Sequence, residues 1–170
     1  MANKKILIVY YSLQGNTREV AKIIQNVTGG DLFEIELKKP YSTVSSFTLG
    51  LIHAKMDHKL ELKNKVTNLQ DYDIVFIGSP VWGYTLTSPI KSFLADHNLE
   101  GKTVVPFCTH KGNTGKYFEK FAETCAGAEI INGKDFYNVK AGDRAALREE
   151  IDTWVQQIQK SDKKLQPSVK

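Results

Sequence analysis

Runs of consecutive apolar residues alternate with amphipathic segments along this chain. Residues 4–11, 73–78 and 103–108 each contain an unbroken stretch of β-branched, aliphatic or aromatic side chains. Such stretches are typical of strands buried on both faces, as in a parallel sheet. Residues 31–37 instead alternate polar and apolar side chains, which predicts a strand with one wetter face, at a sheet edge. Residues 128–139 contain a short fifth strand.

Four segments have apolar residues at helical spacing. They are residues 17–28, a segment that begins at Ser88 and Pro89, residues 117–125 and residues 143–159. Gly29 and Gly30 end the first helix. Ser88 is expected to be the N-cap of the second helix, with Pro89 at its first position. The last helix has the clearest apolar stripe, formed by Leu147, Ile151, Trp154, Val155 and Ile158.

The elements follow each other in the order β-α-β-(weak α)-β-α-β-α-β-α. This alternation predicts an α/β fold in three α/β/α layers, with a five-stranded parallel sheet in the doubly wound order 2-1-3-4-5. The weak helix falls within residues 38–68 and the pattern does not place it. A chain of 170 residues is close to the ~150 of one domain. We assign residues 1–160 to that domain and residues 161–170, which are polar, to a frayed tail.

Composition excludes several classes of protein. Cys108 and Cys125 are too few for a disulfide framework or a four-ligand zinc site, and they are expected to be reduced. The apolar runs are too short for a membrane span or a signal peptide, so we expect a cytoplasmic protein with no membrane partner. The net charge of +4 is too low for a dedicated nucleic-acid binder. It is also segregated, because residues 160–170 carry +3 and residues 38–65 carry +4, which leaves −3 on the rest.

Polar residues follow the first predicted strand and open directly into a helix. This first loop (residues 12–17) contains Ser12, Gln14, Gly15, Asn16 and Thr17. Hydroxyls, amides and the free N–H groups of a helix N-terminus can together bind an anion. The loop has neither the lysine of a P-loop nor the G-x-G-x-x-G of a dinucleotide site. A capped strand–helix turn without a ligand would explain the same residues.

Two further loops follow the third and fourth strands. The second loop (residues 79–85) contains Ser79, Pro80, Val81, Trp82, Gly83 and Tyr84, and the third loop (residues 109–116) contains Thr109, His110, Lys111, Gly112, Asn113 and Gly115. Aromatic side chains on a rigid loop suit stacking on a planar ring, although Trp82 and Tyr84 could each pack on a neighbouring helix instead. The glycines allow close backbone approach to a ligand. Because parallel strands end at one sheet edge, we expect the three loops to line one crevice.

In this order and spacing, the three loops resemble those of the flavodoxin family. The first loop, S-L-Q-G-N-T, is similar to the family's [ST]-x-T-G-N-T phosphate loop. D-Y-D-I-V-F-I-G-S-P-V-W resembles its third strand and aromatic loop, and P-F-C-T-H its fourth strand and third flavin loop. The match covers about residues 4–154. It departs at Gln14, where the family often has threonine, and at Lys111, where an acidic or small residue is common.

The resemblance implies a flavodoxin-like fold with FMN as the cofactor. The first-loop residues would then hold the phosphate, and the second-loop residues would border the isoalloxazine, with Trp82 or Tyr84 stacked on it. The third-loop residues would line the pyrimidine side. The resemblance assigns no catalytic side chain and no metal ligand. Since a reduced flavin is anionic at its pyrimidine edge, Lys111 or a protonated His110 within ~6 Å would make its reduction potential less negative.

Three functions remain open from the sequence. The first is an electron carrier that shuttles electrons between redox protein partners, and the short chain without a second nucleotide motif favours it. The second is an FMN-dependent NAD(P)H:quinone or flavin oxidoreductase on the same fold, since fold alone does not define function. The third is a module that kept the fold and lost the flavin.

Overall fold

The computed structural model describes residues 4–42, 50, 52, 59–125, 127–131, 133–139 and 144–161. Residues 43–49, 51 and 53–58 of the segment in which the weak helix was expected, and nearly all of the expected tail, lie outside these residues. No helix in the described part of the chain is long and apolar enough to cross a membrane.

Outside the segment of the weak helix, and apart from a fifth strand that is split in two, strands and helices follow each other in the order that the pattern predicts. In chain order they are β1 (Ile6–Tyr10), α1 (Asn16–Thr28), β2 (Asp31–Glu34), β3 (Ile74–Pro80), α2 (Ser88–Asp96), β4 (Thr103–His110), α3 (Tyr117–Thr124), β5 (Glu129–Ile130), β6 (Lys134–Tyr137) and α4 (Arg144–Ser161). A short 3₁₀ turn, Leu69–Asp71, precedes β3. Gly29 ends α1 in the left-handed conformation, at a φ of 71°, and its N–H donates to the carbonyl of Gln25.

The sheet is parallel throughout, with the strand order β2-β1-β3-β4-β5, and β6 also pairs with β4. The predicted order 2-1-3-4-5 is therefore confirmed. β2 lies at one edge, as its alternating pattern indicates, but it is shorter than expected and ends at Glu34.

Two short strands occupy the fifth position of the sheet, where the sequence predicts one. The break between them lies opposite Pro106 of β4, because β5 pairs up to Val104 and β6 pairs from Phe107 onwards. The N–H of Ile131 donates to the Val104 carbonyl at 3.0 Å, so Val104 directs its polar groups towards this edge. Backbone groups alternate in direction along a strand, so Pro106 faces the same edge without an N–H to donate. The missing donor accounts for the interruption.

Successive side chains of the central strands enter two separate cores. Leu7 and Val9 of β1 pack in one core with Phe93 of α2 and Phe121 of α3. The other core holds the residues that point to the opposite face, together with the buried side of α1 and the apolar stripe of α4; its largest members are Tyr10, Phe76, Phe107, Phe136 and Trp154. The three α/β/α layers follow from this period of two.

Two local expectations have different outcomes. Thr87, and not Ser88, is the N-cap of α2, because the helix already includes Ser88 and has proline at the next position. Ser88 was therefore wrong as the cap. Cys108 and Cys125 are both free and buried, as expected of reduced cysteines. Burial raises the pKa of the Cys125 thiol to about 12, and it raises the pKa of the Cys108 thiol as well.

Candidate functional site

A cleft of about 580 Å³ lies beyond the carboxyl ends of β1, β3 and β4. This volume is within the range of small-molecule sites, roughly 300–1,000 Å³. We refer to it as the three-loop cleft. Its lining consists of Ser12, Leu13, Gln14, Asn16, Thr17, Pro80, Val81, Trp82, Gly83, Tyr84, Thr109, His110, Lys111, Gly112, Asn113 and Val139.

The first loop presents the N-terminus of α1 to the cleft. Gly15 is the N-cap of α1 in the left-handed conformation, at a φ of 91°, and its N–H donates to the Ser12 hydroxyl at 3.1 Å. The first N–H groups of a helix have no partner within the helix, and the helix dipole adds partial positive charge. The loop can therefore bind an anion such as a phosphate without a cationic side chain.

A buried hydrogen bond ties the first loop to the third. The hydroxyls of Thr17 and Thr109 are 2.8 Å apart, and both residues are almost fully buried. Because each hydroxyl has one donor and two acceptor sites, the bond leaves each with capacity for at least one more partner. The contact fixes the distance between two walls of the site.

Arg18 is the cation nearest to the first loop in sequence, and it is engaged elsewhere. Its guanidinium forms two hydrogen bonds with the Glu34 carboxylate of β2, which also accepts from the Tyr10 hydroxyl at 3.1 Å. The hydrogen bonds to Glu34 raise the pKa of Arg18. Burial, followed by the charge of Glu34, raises the pKa of Tyr10 to about 12. This cluster holds the start of α1 against the edge strand.

The second loop makes a tight turn that displays Tyr84. The N–H and carbonyl of Trp82 bond to the carbonyl and N–H of Thr85, and both central residues have positive φ, 58° at Gly83 and 63° at Tyr84. Positive φ at both central positions is typical of a type I′ turn. The Tyr84 side chain is 63% exposed at the rim of the cleft.

Trp82 lines the cleft but is held by protein contacts. Its ring makes edge contacts with Tyr11 and Tyr41, at centroid distances of 5.7 and 5.5 Å. It also covers Gly50, where a Cβ would come within 2.8 Å of the indole. Packing therefore fixes the indole, whereas Tyr84 is the second-loop aromatic whose ring is available to stack on a planar ligand.

Gly115 brings the third loop against the second. It has a φ of 53°, and a Cβ placed on it would lie 2.4 Å from both the Cβ and the carbonyl oxygen of Tyr84. The N–H of Lys116 donates to the same carbonyl at 2.8 Å. Only glycine allows this approach, so Gly115 positions Tyr84 from behind the cleft wall.

His110 closes the cleft on the side of β6. Its Nε2 lies 2.9 Å from the Oδ2 atom of Asp135, and its ring is 5.6 Å from that of Tyr137. The His110 side chain is only 8% exposed, and its Nδ1 atom is buried without a hydrogen-bond partner in the described part of the chain. A buried polar atom without a partner at the wall of a cleft indicates a position for a ligand hydrogen bond.

The structure brings fourteen of the seventeen predicted site residues to the lining of one cleft. Gly15, Ser79 and Gly115 do not line it. Ser79 is fully buried beneath the second loop, where its hydroxyl lies 3.2 Å from that of Tyr117. Leu13 and Val139 line the cleft and were missed, since neither carries a polar group that marks a site.

The fold and the cleft define a class of protein: an α/β protein that binds a ligand with an anionic group and a planar ring at the switch point of a doubly wound sheet. Among the described residues no group of His, Cys, Asp and Glu side chains could hold a metal ion. A sequence model of the family described as Flavodoxin matches residues 5–158. The chain belongs to the flavodoxin family.

Solved structures agree with this assignment. A protein of Bacteroides eggerthii described as a candidate flavoprotein is 30% identical, with a TM-score of 0.74, over 90% of this chain and 99% of that one. A flavoprotein of Lactobacillus acidophilus, solved in complex with FMN, is 25% identical, with a TM-score of 0.71, over 89% of this chain and 99% of that one.

A curated relative extends the comparison to a named activity. An NAD(P)H dehydrogenase (quinone) of Archaeoglobus fulgidus is 25% identical over 118 residues, which is 63% of this chain. The matched segment spans 62% of that relative, so the chain covers less than two thirds of its length.

Proposed function

We propose that this chain binds FMN in the three-loop cleft and works as an electron carrier between redox protein partners. The observation that carries the proposal is the convergence of an anion-binding helix terminus, an exposed aromatic side chain and a glycine-containing wall on one cleft of about 580 Å³. FMN has one phosphate and one flat ring system, which these parts fit. Family membership and the FMN complex of the Lactobacillus acidophilus flavoprotein support the choice of cofactor.

Each wall of the cleft would have a distinct task. The N-terminus of α1 would bind the phosphate together with Ser12, Gln14 and Asn16. The hydroxyl of Thr17, which is hydrogen-bonded to that of Thr109, would contribute a further contact. Tyr84 would cover one face of the ring, and the third loop would contact its polar edge. Bound FMN would supply the redox chemistry, and the protein would orient it and set its electrostatic surroundings.

Exposure at the cleft rim favours exchange of electrons with another protein. Tyr84 and Lys111 both line the cleft and are exposed, so the ring edge beside them would be open to a docking partner. Electrostatic complementarity would then set the rate of encounter, with a dependence on salt concentration. Lys111 places positive charge at this rim.

A second candidate is an FMN-dependent NAD(P)H:quinone oxidoreductase. The name of the Archaeoglobus fulgidus relative favours it, and so does His110, whose imidazole could move the protons that two-electron reduction of a quinone requires.

One experiment separates the two functions. The purified protein is loaded with FMN and mixed with NADPH and a benzoquinone, and in a second reaction with NADPH, an NADPH-dependent flavoprotein reductase and cytochrome c. A carrier reduces cytochrome c only when the reductase is present and does not oxidise NADPH with the quinone alone. Direct oxidation of NADPH by protein and quinone would transfer the assignment to the second candidate. A folded protein that takes up no FMN would overturn both.

A further inference from the structure

The buried side chain of His110 and the half-exposed carboxylate of Asp135 form an acid–base pair at the wall of the three-loop cleft. His110 ends β4 and Asp135 lies in the neighbouring strand β6, so the ladder between these two strands fixes their separation. The His110 side chain is 8% exposed, with Nε2 at 2.9 Å from Oδ2 of Asp135. His110 belongs to the third loop predicted from the sequence, whereas no sequence pattern marks Asp135.

The carboxylate of Asp135 determines which nitrogen of His110 carries the proton. An ionised carboxylate only accepts hydrogen bonds, so Nε2 must donate to it. In the neutral ring, Nδ1 then holds a lone pair, and the hydrogen-bond network assigns this tautomer. Nδ1 is the buried atom without a partner among the described residues. His110 therefore lines the cleft and carries a proton-accepting nitrogen that has no partner among the described residues.

Few other charges face this position. Beside His110 in the chain, Lys111 is exposed and lines the cleft, and on β6 the ring of Tyr137 packs against the imidazole. Lys134, also on β6, is paired with Glu150 of α4 at 2.8 Å. The first loop contributes no charged side chain to the lining, and the second loop contributes only the Tyr84 phenol.

We propose that His110, positioned by Asp135, takes up a proton at Nδ1 when the flavin bound in the cleft is reduced. The inference rests on the FMN binding proposed above. A reductant, either a partner's redox centre or dithionite in the test, supplies two electrons. The ring gains these electrons and one proton and becomes singly negative, and the only new bond on His110 is Nδ1–H, formed with a second proton from solvent. Reoxidation releases both protons.

Electrostatic attraction favours proton uptake at His110 when the ring is reduced. The imidazolium offsets the negative charge of the reduced ring, and Asp135 stabilises the imidazolium in turn. The oxidised ring is uncharged and offers an imidazolium no comparable stabilisation, so His110 stays neutral beside it. His110 is the proton-accepting residue in this scheme, and Asp135 is a positioning residue that acts through it.

The number of protons taken up with two electrons tests the proposal. The two-electron midpoint potential of the FMN-loaded protein is measured against pH near neutrality, with dithionite as reductant. Each proton coupled to two electrons contributes about 30 mV per pH unit. In the parent we expect two protons to be taken up with the two electrons. In His110→Gln we expect one proton fewer, across the pH range in which the imidazole of the parent takes up its proton. Asp152→Asn, which removes a partly exposed carboxylate on α4 beside Arg148, should match the parent.

A direct readout follows the imidazole itself. The His110 ring is observed by NMR during pH titrations of the oxidised and the reduced protein. It should take up its proton at a higher pH in the reduced protein, and Asp135→Asn should weaken proton binding in that state about tenfold while FMN stays bound. Protonation at the same pH in both states, or an unchanged potential–pH slope in His110→Gln, would overturn the inference and leave FMN binding intact. Failure to bind FMN at all would overturn the proposed function and the inference together.

Discussion

Gly115 offers a sharp test of how the cleft is built, because its contact can be separated from its backbone conformation. In Gly115→Ala the new Cβ would lie 2.4 Å from the Cβ and the carbonyl oxygen of Tyr84. Neither is the end of a flexible side chain, so the second loop or the third must move. The hydrogen bond from the Lys116 N–H to the Tyr84 carbonyl, 2.8 Å long, would be disturbed as well.

Two costs add in this variant. A non-glycine residue at positive φ costs roughly 1–2 kcal/mol, and overpacking costs about 1–3 kcal/mol. Gly101 provides the matched control, because its φ is 73° but nothing lies within 4 Å of a Cβ there. Gly101→Ala should therefore lose only the free energy of unfolding that positive φ costs, roughly 1–2 kcal/mol. The difference between the two variants isolates the contact with Tyr84.

Urea unfolding and FMN titration measure the two consequences. Gly115→Ala should unfold at a lower urea concentration than Gly101→Ala and should bind FMN about tenfold more weakly, equivalent to about 1.4 kcal/mol, because Tyr84 moves. Gly101→Ala should bind FMN like the parent. Equal losses of stability in the two variants, with unchanged FMN affinity in both, would refute the role assigned to Gly115.

Three further outcomes follow from the structure. Thr17→Val should leave the buried Thr109 hydroxyl without its partner and cost about 1–3 kcal/mol, whereas the double variant with Thr109→Val should cost less than the sum of the two single changes; additive losses in urea would contradict a direct bond. Burial raises the pKa of Tyr10 to about 12, so the folded protein keeps a proton that the unfolded chain loses above its ordinary value of 10.0. The free energy of unfolding should fall as pH rises from 10.0 towards 12, and a rise over that interval would count against this. Cys108 and Cys125 should react with an aromatic disulfide reagent only after unfolding, because burial raises the pKa of both thiols, and rapid labelling of the native protein would show that they are accessible.

The fold was predictable because its signals are local and repeated. Unbroken apolar runs identified the buried strands, and a period of 3.6 identified the helices between them. The split of the fifth strand was not predicted, although Pro106 provides a signal for it. The backbone of Pro106 faces the interrupted strand and has no N–H to donate to it. The N-cap of α2 moved by one residue, from Ser88 to Thr87, because both residues can cap a helix and the sequence does not choose between them.

The site was predictable to the level of loops and not of pairs. Parallel strands bring their following loops to one edge, so the composition of the loops was sufficient to place the cleft. The partner of His110 depends on the register of β4 against β6, and Asp135 has no motif of its own. Gly115 resembled a ligand contact in the sequence, and only the three-dimensional approach to Tyr84 revealed its structural task.

The central claim is that FMN occupies the three-loop cleft. The measurement that tests it is a titration of the apo protein with FMN, followed by flavin fluorescence for stoichiometry and by backbone amide NMR for location. We expect one FMN per chain, with the largest shifts in residues 12–17, 80–84 and 109–113. A folded protein whose amide spectrum is unchanged by FMN, or whose shifts fall outside these three loops, would contradict the central claim.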